Sequence, residues 1–382
     1  MTNFFAYEDL TWPEIESLPR EIPLIIPLGI GYNQESIAYS LKDAPLIGML
    51  PALPYGWRGS GLQVEPHLLG PILINLVDSL NEDGFYRVFV VIPPGIDNDI
   101  GTLEFQFLPC EQSKSIRHIP PDSDRDKVLI IPIGHTEQHG HHLPMSTDTL
   151  IIDAIGQGVA RSCPNHAVCL PTMPYGVSTH RSSFTGTLNC GGRAFEDYWI
   201  GIINTLVQRG FDRIYLISGH GGNCSFLVNV VKYSGELHRS IFCATSWLYL
   251  SGPQGIAALN AHRRSRIGGM GHACELETSL ILHLNPGLVH MEKAKDELDF
   301  ISTPSYSMDW VEGGPLVANP PWDDDTITGA YGAGTLATKE HGRVWLEAAI
   351  AEKAMHVGEI NEQHLRRTAR RQSGFGLWGK RK

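Results

Sequence analysis

Apolar positions along this chain fall into short, β-branched runs separated by longer stretches of helical period. Ile25-Ile26-Pro27-Leu28-Gly29, Val128-Leu129-Ile130-Ile131-Pro132-Ile133 and Arg213-Ile214-Tyr215-Leu216-Ile217-Ser218 each read as a strand buried on both faces. Ile202 to Val207 sits in a helical stretch that ends at Gly210, just before the strand at Arg213. Strand, helix and strand in that order make the unit of a mostly parallel sheet. Leu276 to Leu284 is again apolar and helical, and 342–371 reads as a long closing helix. The stretch from Ile301 to Tyr331 is rich in Pro, Gly and Asp and predicts a loop or lid. The expected class is α/β, a layered fold whose mostly parallel sheet is flanked by helices.

The pattern repeats itself. Ile25-Ile26-Pro27-Leu28-Gly29 matches Ile130-Ile131-Pro132-Ile133-Gly134, and Leu50-Pro51-Ala52-Leu53-Pro54-Tyr55-Gly56 matches Leu170-Pro171-Thr172-Met173-Pro174-Tyr175-Gly176. Gly84 to Ile92 then matches Gly210 to Ser218, so three matches occur in one order. The chain therefore divides into a degenerate half-repeat over 1–110 and a fuller unit over 111–382. The early copy keeps the framework and lacks the polar motifs of the later one.

Composition narrows the class. The 382 residues, 42% hydrophobic and 19% charged, suit a globular protein with a sizeable core. A formal net charge of −11 argues against general nucleic-acid binding. The basic C-terminal end, from Arg366 to Lys382, reads as a solvated tail. Seven scattered cysteines without a Cys-x-x-Cys pair read as reduced thiols, neither a disulfide framework nor a thiolate metal site. No signal-peptide pattern and no run long enough to span a bilayer is present, so a soluble, cytoplasmic protein without membrane partners is expected.

Three motifs carry chemistry. Glu137-Gln138-His139-Gly140-His141-His142-Leu143-Pro144-Met145-Ser146-Thr147-Asp148 follows a strand and packs carboxylates and imidazoles that suit a water-activating divalent ion. Its plainer reading is a polar surface loop. Ser218-Gly219-His220-Gly221-Gly222-Asn223 ends another strand, at the sheet edge where α/β folds bind ligands. It does not match a phosphate-binding glycine loop. Gly271-His272-Ala273-Cys274-Glu275-Leu276-Glu277-Thr278-Ser279 opens an apolar helix, and 272 and 275 share a face if both are helical.

Together these motifs resemble the creatininase family of metal-dependent amidohydrolases, over 122 to about 355. Pro174-Tyr175-Gly176-Val177-Ser178-Thr179-His180 and Phe184-Thr185-Gly186-Thr187 extend the resemblance. It implies a homo-oligomeric hydrolase with two divalent ions per chain, zinc, manganese or iron. It places Glu137 and His220 on one metal and His139 on the other, with Asp148 bridging. In the creatininase branch a Glu at the position of Gly222 completes the second site. Glu275 is the expected substitute here, with Glu277 as the fallback or as a catalytic carboxylate. His272 is expected as general acid; Tyr175, Ser178 and His180 are candidates for substrate binding or for packing in their turn. Departures at His141, Arg181, Ser218 and Cys274 alter the pocket wall and leave the ligands in place.

The expected activity is hydrolysis of a cyclic amide or small peptide-like C–N bond. The alternatives are hydrolysis of a C–C bond in a cyclic diketone, or a non-catalytic metal-binding assembly protein. Creatinine itself is not the expected substrate.

Overall fold

The computed structural model describes residues 2–42, 44–96, 106–112, 120–178 and 183–374. Two parallel sheets organise it. In the first half, β1 (Asn3–Ala6), β2 (Leu24–Pro27), β3 (Leu46–Met49), β4 (Val88–Ile92) and β5 (Gln106–Pro109) lie in the order β1-β3-β2-β4-β5. In the second, β6 (Val128–Ile133), β7 (Ala167–Cys169), β8 (Arg213–Ser218) and β9 (Phe242–Thr245) lie in the order β7-β6-β8-β9. Strands β2 and β6 are buried along their whole length, as their unbroken apolar runs require.

The internal echo is thus matched strand for strand. The order β3-β2-β4-β5 recurs as β7-β6-β8-β9, and parallel bridges Leu28–Leu53 and Ile133–Met173 extend equivalent strand pairs. Helix α3 (Pro66–Glu82) precedes β4 as α5 (Gly192–Gln208) precedes β8, and the two helices pack on each other. The contacts across this seam are reciprocal. The Tyr55 hydroxyl donates to Pro171 O at 3.3 Å, and the Tyr175 hydroxyl donates to Pro51 O at 2.5 Å. Each tyrosine of one repeated turn therefore satisfies a carbonyl of the other. One apolar cluster runs through both halves, from Leu24 and Leu73 to Ile131 and Trp199. The chain passes from one sheet to the other between Pro109 and Val128, and the core is not divided there.

The remaining elements close the second sheet. Helices α4 (Thr147–Ser162), α6 (Gly221–Leu237), α7 (Pro253–His262), α8 (Glu275–Leu284) and α9 (Lys339–Gln372) surround it, with α9 packed on α8, α4 and α7. A small antiparallel sheet, β10 (Met270–His272), β12 (Tyr331–Ala333) and β11 (Asp296–Glu297), was not foreseen from the sequence. Its strands are two or three residues long, too short to leave a period. The short helix α1 (Trp12–Glu16) and the segment before it brace the second half: Met145 N–H donates to Leu10 O and Ser146 N–H to Glu8 O, both at 2.9 Å.

At the strand end of the first half, the place that β6 gives to the Glu137 motif is filled differently. A Cβ on Gly29 would meet the Trp57 ring at 3.0 Å, the Tyr32 hydroxyl donates to Leu28 O at 2.6 Å, and the Gln112 amide donates to Ile30 O at 3.2 Å. Among the described residues no cluster of His, Cys, Asp and Glu suited to a metal ion lies in this half.

Two predictions follow from the seam and the brace. Tyr55→Phe and Tyr175→Phe each remove one hydroxyl from a carbonyl and should cost about 1 kcal/mol. Because the core is shared, both should shift a single denaturant transition; two separate transitions would contradict the shared core. Burial pushes the Glu8 carboxyl up to about 7. The folded state therefore holds that proton more tightly than the unfolded chain, and ionising Glu8 destabilises the fold as pH rises from the usual carboxylate range through 7. Glu8→Gln should be more stable than the parent at pH 8, with the difference closing near pH 4, as read by urea melts.

Candidate metal centre

The polar motifs converge at the carboxyl ends of β6 and β8. Asp148 lies in the first turn of α4, His220 caps the N-terminus of α6, and Glu277 lies in the first turn of α8. Three helix N-termini therefore point partial positive charge at one place, which favours ionised carboxylates there. Gly219 makes the approach possible: a Cβ on it would lie 2.4 Å from Asp148 O, so only glycine lets α4 meet the end of β8.

Glu137, His139, Asp148, His220, His272 and Glu277 are all buried. His220 Nδ1 is 2.8 Å from Glu137 Oε1 and 3.3 Å from Asp148 Oδ2. His139 Nε2 is 3.2 Å from Asp148 Oδ1, and His272 Nδ1 is 3.9 Å from Glu137 Oε1. The opposite nitrogen of each ring faces a backbone carbonyl: His220 meets Val177 O at 3.0 Å, His139 meets Glu137 O at 3.1 Å and His272 meets Gln138 O at 2.7 Å. A carbonyl only accepts, so the facing nitrogen carries the ring proton. The other nitrogen then turns its lone pair toward carboxylate oxygens. Lone pairs and anionic oxygens at such distances repel unless a cation lies between them.

The pKa shifts express the same demand. Burial alone would lower His220, but the carboxylates of Glu137 and Asp148 outweigh it and raise the group to about 9. His139 is also raised, burial being overcome chiefly by Asp148. A divalent ion satisfies this arrangement in place of extra protons, and imidazole with carboxylate is a donor set for zinc, manganese or iron. The donor atoms of His139, Asp148 and Glu277 lie within 4.8 Å of one another, as do those of Glu137, His139 and His272 and those of His135, Glu137 and His220. The residues present fit a two-ion centre.

Glu275, the first-choice second-site ligand from sequence, is turned away. Its carboxylate accepts from Arg264 N–H at 2.9 Å and Ser265 N–H at 2.7 Å, and it faces His341 Nδ1 at 3.7 Å. The reason is where the helix starts. His272 belongs to β10 and α8 begins at Glu275, so 272 and 275 do not share a helical face. Residues 275 and 277 are roughly 200° apart around the helix, and only one can face the centre. Glu277 does. A Cβ on Gly222 would lie 2.3 Å from both His220 Nε2 and Val177 O, so no Glu fits there, and the carboxylate gathered with His139 and Asp148 is that of Glu277 on α8.

Tyr175 is committed to Pro51 O, as described. Ser178 is buried but lines a separate cavity of about 310 Å³ with Asn75, Ser79 and Thr187. His180 lies outside the described residues. The cavity over the centre, about 650 Å³, is lined by Glu137, Asp148, His220, His272 and Glu277 at its floor.

Two histidines escaped the sequence argument. His135 is fully buried, and its Nδ1 accepts from Gly176 N–H at 2.9 Å. Its proton therefore sits on Nε2, 3.9 Å from Glu137 Oε2, near enough for electrostatic attraction though beyond hydrogen-bond range, and in that tautomer His135 is not an ion ligand. His142 Nε2 meets Thr278 Oγ1 at 2.9 Å, tying the Glu137 loop to the helix of Glu277; burial pushes its pKa down to about 4. His135 lies two residues ahead of the Glu137 run and was passed over; His142 stands inside that run, but its bond to Thr278 joins distant segments and leaves no local signal.

Comparison with known proteins agrees with this architecture. Residues 115–357 match the family model described as "Creatininase: Creatinine amidohydrolase". Creatinine amidohydrolase of Pseudomonas putida is 28% identical over 245 residues, 59% of this chain and 86% of that protein. The mycofactocin precursor peptide peptidase of Mycobacterium ulcerans (strain Agy99) is 32% identical over 168 residues, 42% of this chain and 60% of that protein. A mutant creatininase solved in a "Zn-Zn type" form superposes with a TM-score of 0.52 at 26% identity, covering 62% of this chain and 92% of its own. With its family model spanning well over half of its length and its polar residues gathered at the matched strand ends, this chain belongs to the creatininase family and is a hydrolase of that family.

Proposed function

We propose that the chain is a two-metal hydrolase that cleaves an amide, either cyclic or small and peptide-like. Residues 111–382 carry the chemistry, and 1–110 act as a non-catalytic support. The observation that carries this reading is the pair of Asp148 oxygens. Oδ1 addresses His139 and Oδ2 addresses His220, with each ring held in the ion-binding tautomer by a backbone carbonyl. Glu137 and His220 would hold one ion, His139 and Glu277 the other, and Asp148 would bridge. When bound, two divalent ions supply an activated water and polarise the substrate carbonyl.

The chain's own residues do the rest. His135 orients Glu137. His272, pinned through Nε2 to Gln138 O, holds the Nδ1 lone pair at the cavity, takes a proton there from the attacking water and passes it to the leaving nitrogen. The C–N bond breaks, the water oxygen stays on the acyl carbon as a carboxylate, and both protons of the water leave on the nitrogen as an ammonium group. Release of an amine separates this reaction from C–C cleavage, which yields an open-chain keto acid.

Metal analysis of purified variants tests the assignment. The parent protein should take up two ions per chain, and Glu137→Gln or Asp148→Asn should lose both metal retention and turnover. Glu277→Gln should lose about one ion. Glu275→Gln should keep two while losing about 1–3 kcal/mol of stability, since its carboxylate holds two backbone N–H groups. Loss of metal from the Glu275 variant and retention in the Glu277 variant would reverse the ligand choice. His135→Ala should weaken metal affinity about 10- to 100-fold without changing stoichiometry, as measured by chelator competition.

A further inference from the structure

The segment between β11 and β12 leaves and returns at neighbouring points, because Glu297 pairs with Gly332 across the two strands. It is tied down along its course. The Glu297 carboxylate accepts from Ile327 N–H at 2.9 Å and Thr328 N–H at 3.1 Å. Asp309 accepts from Arg263 Nη1 and from Gly268 N–H, both at 2.7 Å. The Trp310 indole donates to Tyr249 O at 2.9 Å, and the Trp12 indole donates to Thr328 O at 2.8 Å. These anchors sit at several points on the segment, so its shape is built in.

What the segment builds is an apolar roof. Met308, Trp310, Val317 and Trp322 line the cavity above the centre, opposite Phe226 and Met270. Trp322 is almost wholly buried, and its ring stands edge-on to His272 with centroids 5.0 Å apart. Val317 is 88% exposed and marks the mouth. The imidazoles and the carboxylates of Glu137, Asp148 and Glu277 lie at the floor; the Asp309 carboxylate of the roof is held by Arg263 and Gly268, Ser225 and Asn319 add two polar side chains, and among the described residues lining the cavity none is Lys or Arg. A group lying between floor and mouth therefore meets a surface that is mostly aromatic and aliphatic. That surface rewards an apolar group and offers a hydroxyl-rich one few partners for the water it gives up.

We propose that the substrate carries a bulky apolar or aromatic group beside its scissile amide, and that the 298–330 segment selects it through Trp322 and Val317. The proposal rests on the two-metal reading above. The shared floor chemistry then cuts the bond, and the roof decides which amides reach it.

Three hydroxamates with a common metal-binding head test this on the metal-loaded full chain: acetohydroxamate, phenylacetohydroxamate and gluconohydroxamate. Titration calorimetry should find phenylacetohydroxamate about 10- to 100-fold tighter than acetohydroxamate, the range expected for burying one such ring. Gluconohydroxamate should gain nothing over acetohydroxamate. The phenyl preference should shrink in Trp322→Ala and also in Val317→Asp, a surface change that spares the fold. An equal or polyol-favouring ratio in the parent overturns the proposal. So does an unchanged ratio in both variants, or no binding of any hydroxamate by protein holding two ions. Failure of the parent to take up metal is a separate result, which would overturn the two-metal reading itself.

Discussion

The confrontation of imidazole lone pairs with carboxylate oxygens in a dry interior is the constraint on which the rest of the structure depends. Carboxylates buried beside unprotonated nitrogens are unstable neighbours without a cation, because desolvation leaves little to screen them. The fold maintains the arrangement by backbone means. Val177, Glu137 and Gln138 carbonyls hold three rings in one tautomer, and three helix N-termini face the anionic oxygens.

The first half bears on this centre at one remove. Its reciprocal tyrosine bonds and the α3–α5 contact fix the turn that carries Val177, and its N-terminal segment pins Met145 and Ser146 just ahead of Asp148. At its own strand end, Trp57, Tyr32 and Gln112 take up the space. The same framework thus occurs twice, with buried carboxylates and imidazoles at one strand end and packed side chains at the other. The two copies share a core, which ties the stability of the centre to residues far from it in sequence.

Much of this was legible in the chain. Strands with unbroken apolar runs, the repeated turns and the Glu137 and His220 motifs all leave local signatures, and each signature sits where its element forms. The choice between Glu275 and Glu277 was not legible, because it depends on β10 ending at His272 and on a helix starting three residues later. Tyr175 stood open between substrate binding and packing in its turn; its repeat context, shared with Tyr55, is the one that matches the seam. The carbonyl of Val177 has no side-chain signal at all, and Trp322 reaches His272 only through tertiary folding.

The most direct test of the central claim is anomalous diffraction from crystals of the zinc- or manganese-loaded protein. The account predicts two ions about 3.5–4 Å apart, with Asp148 between them, Glu137 and His220 on one, and His139 and Glu277 on the other. A single ion, a pair bridged by another residue, or an ion bound through Glu275 would contradict it.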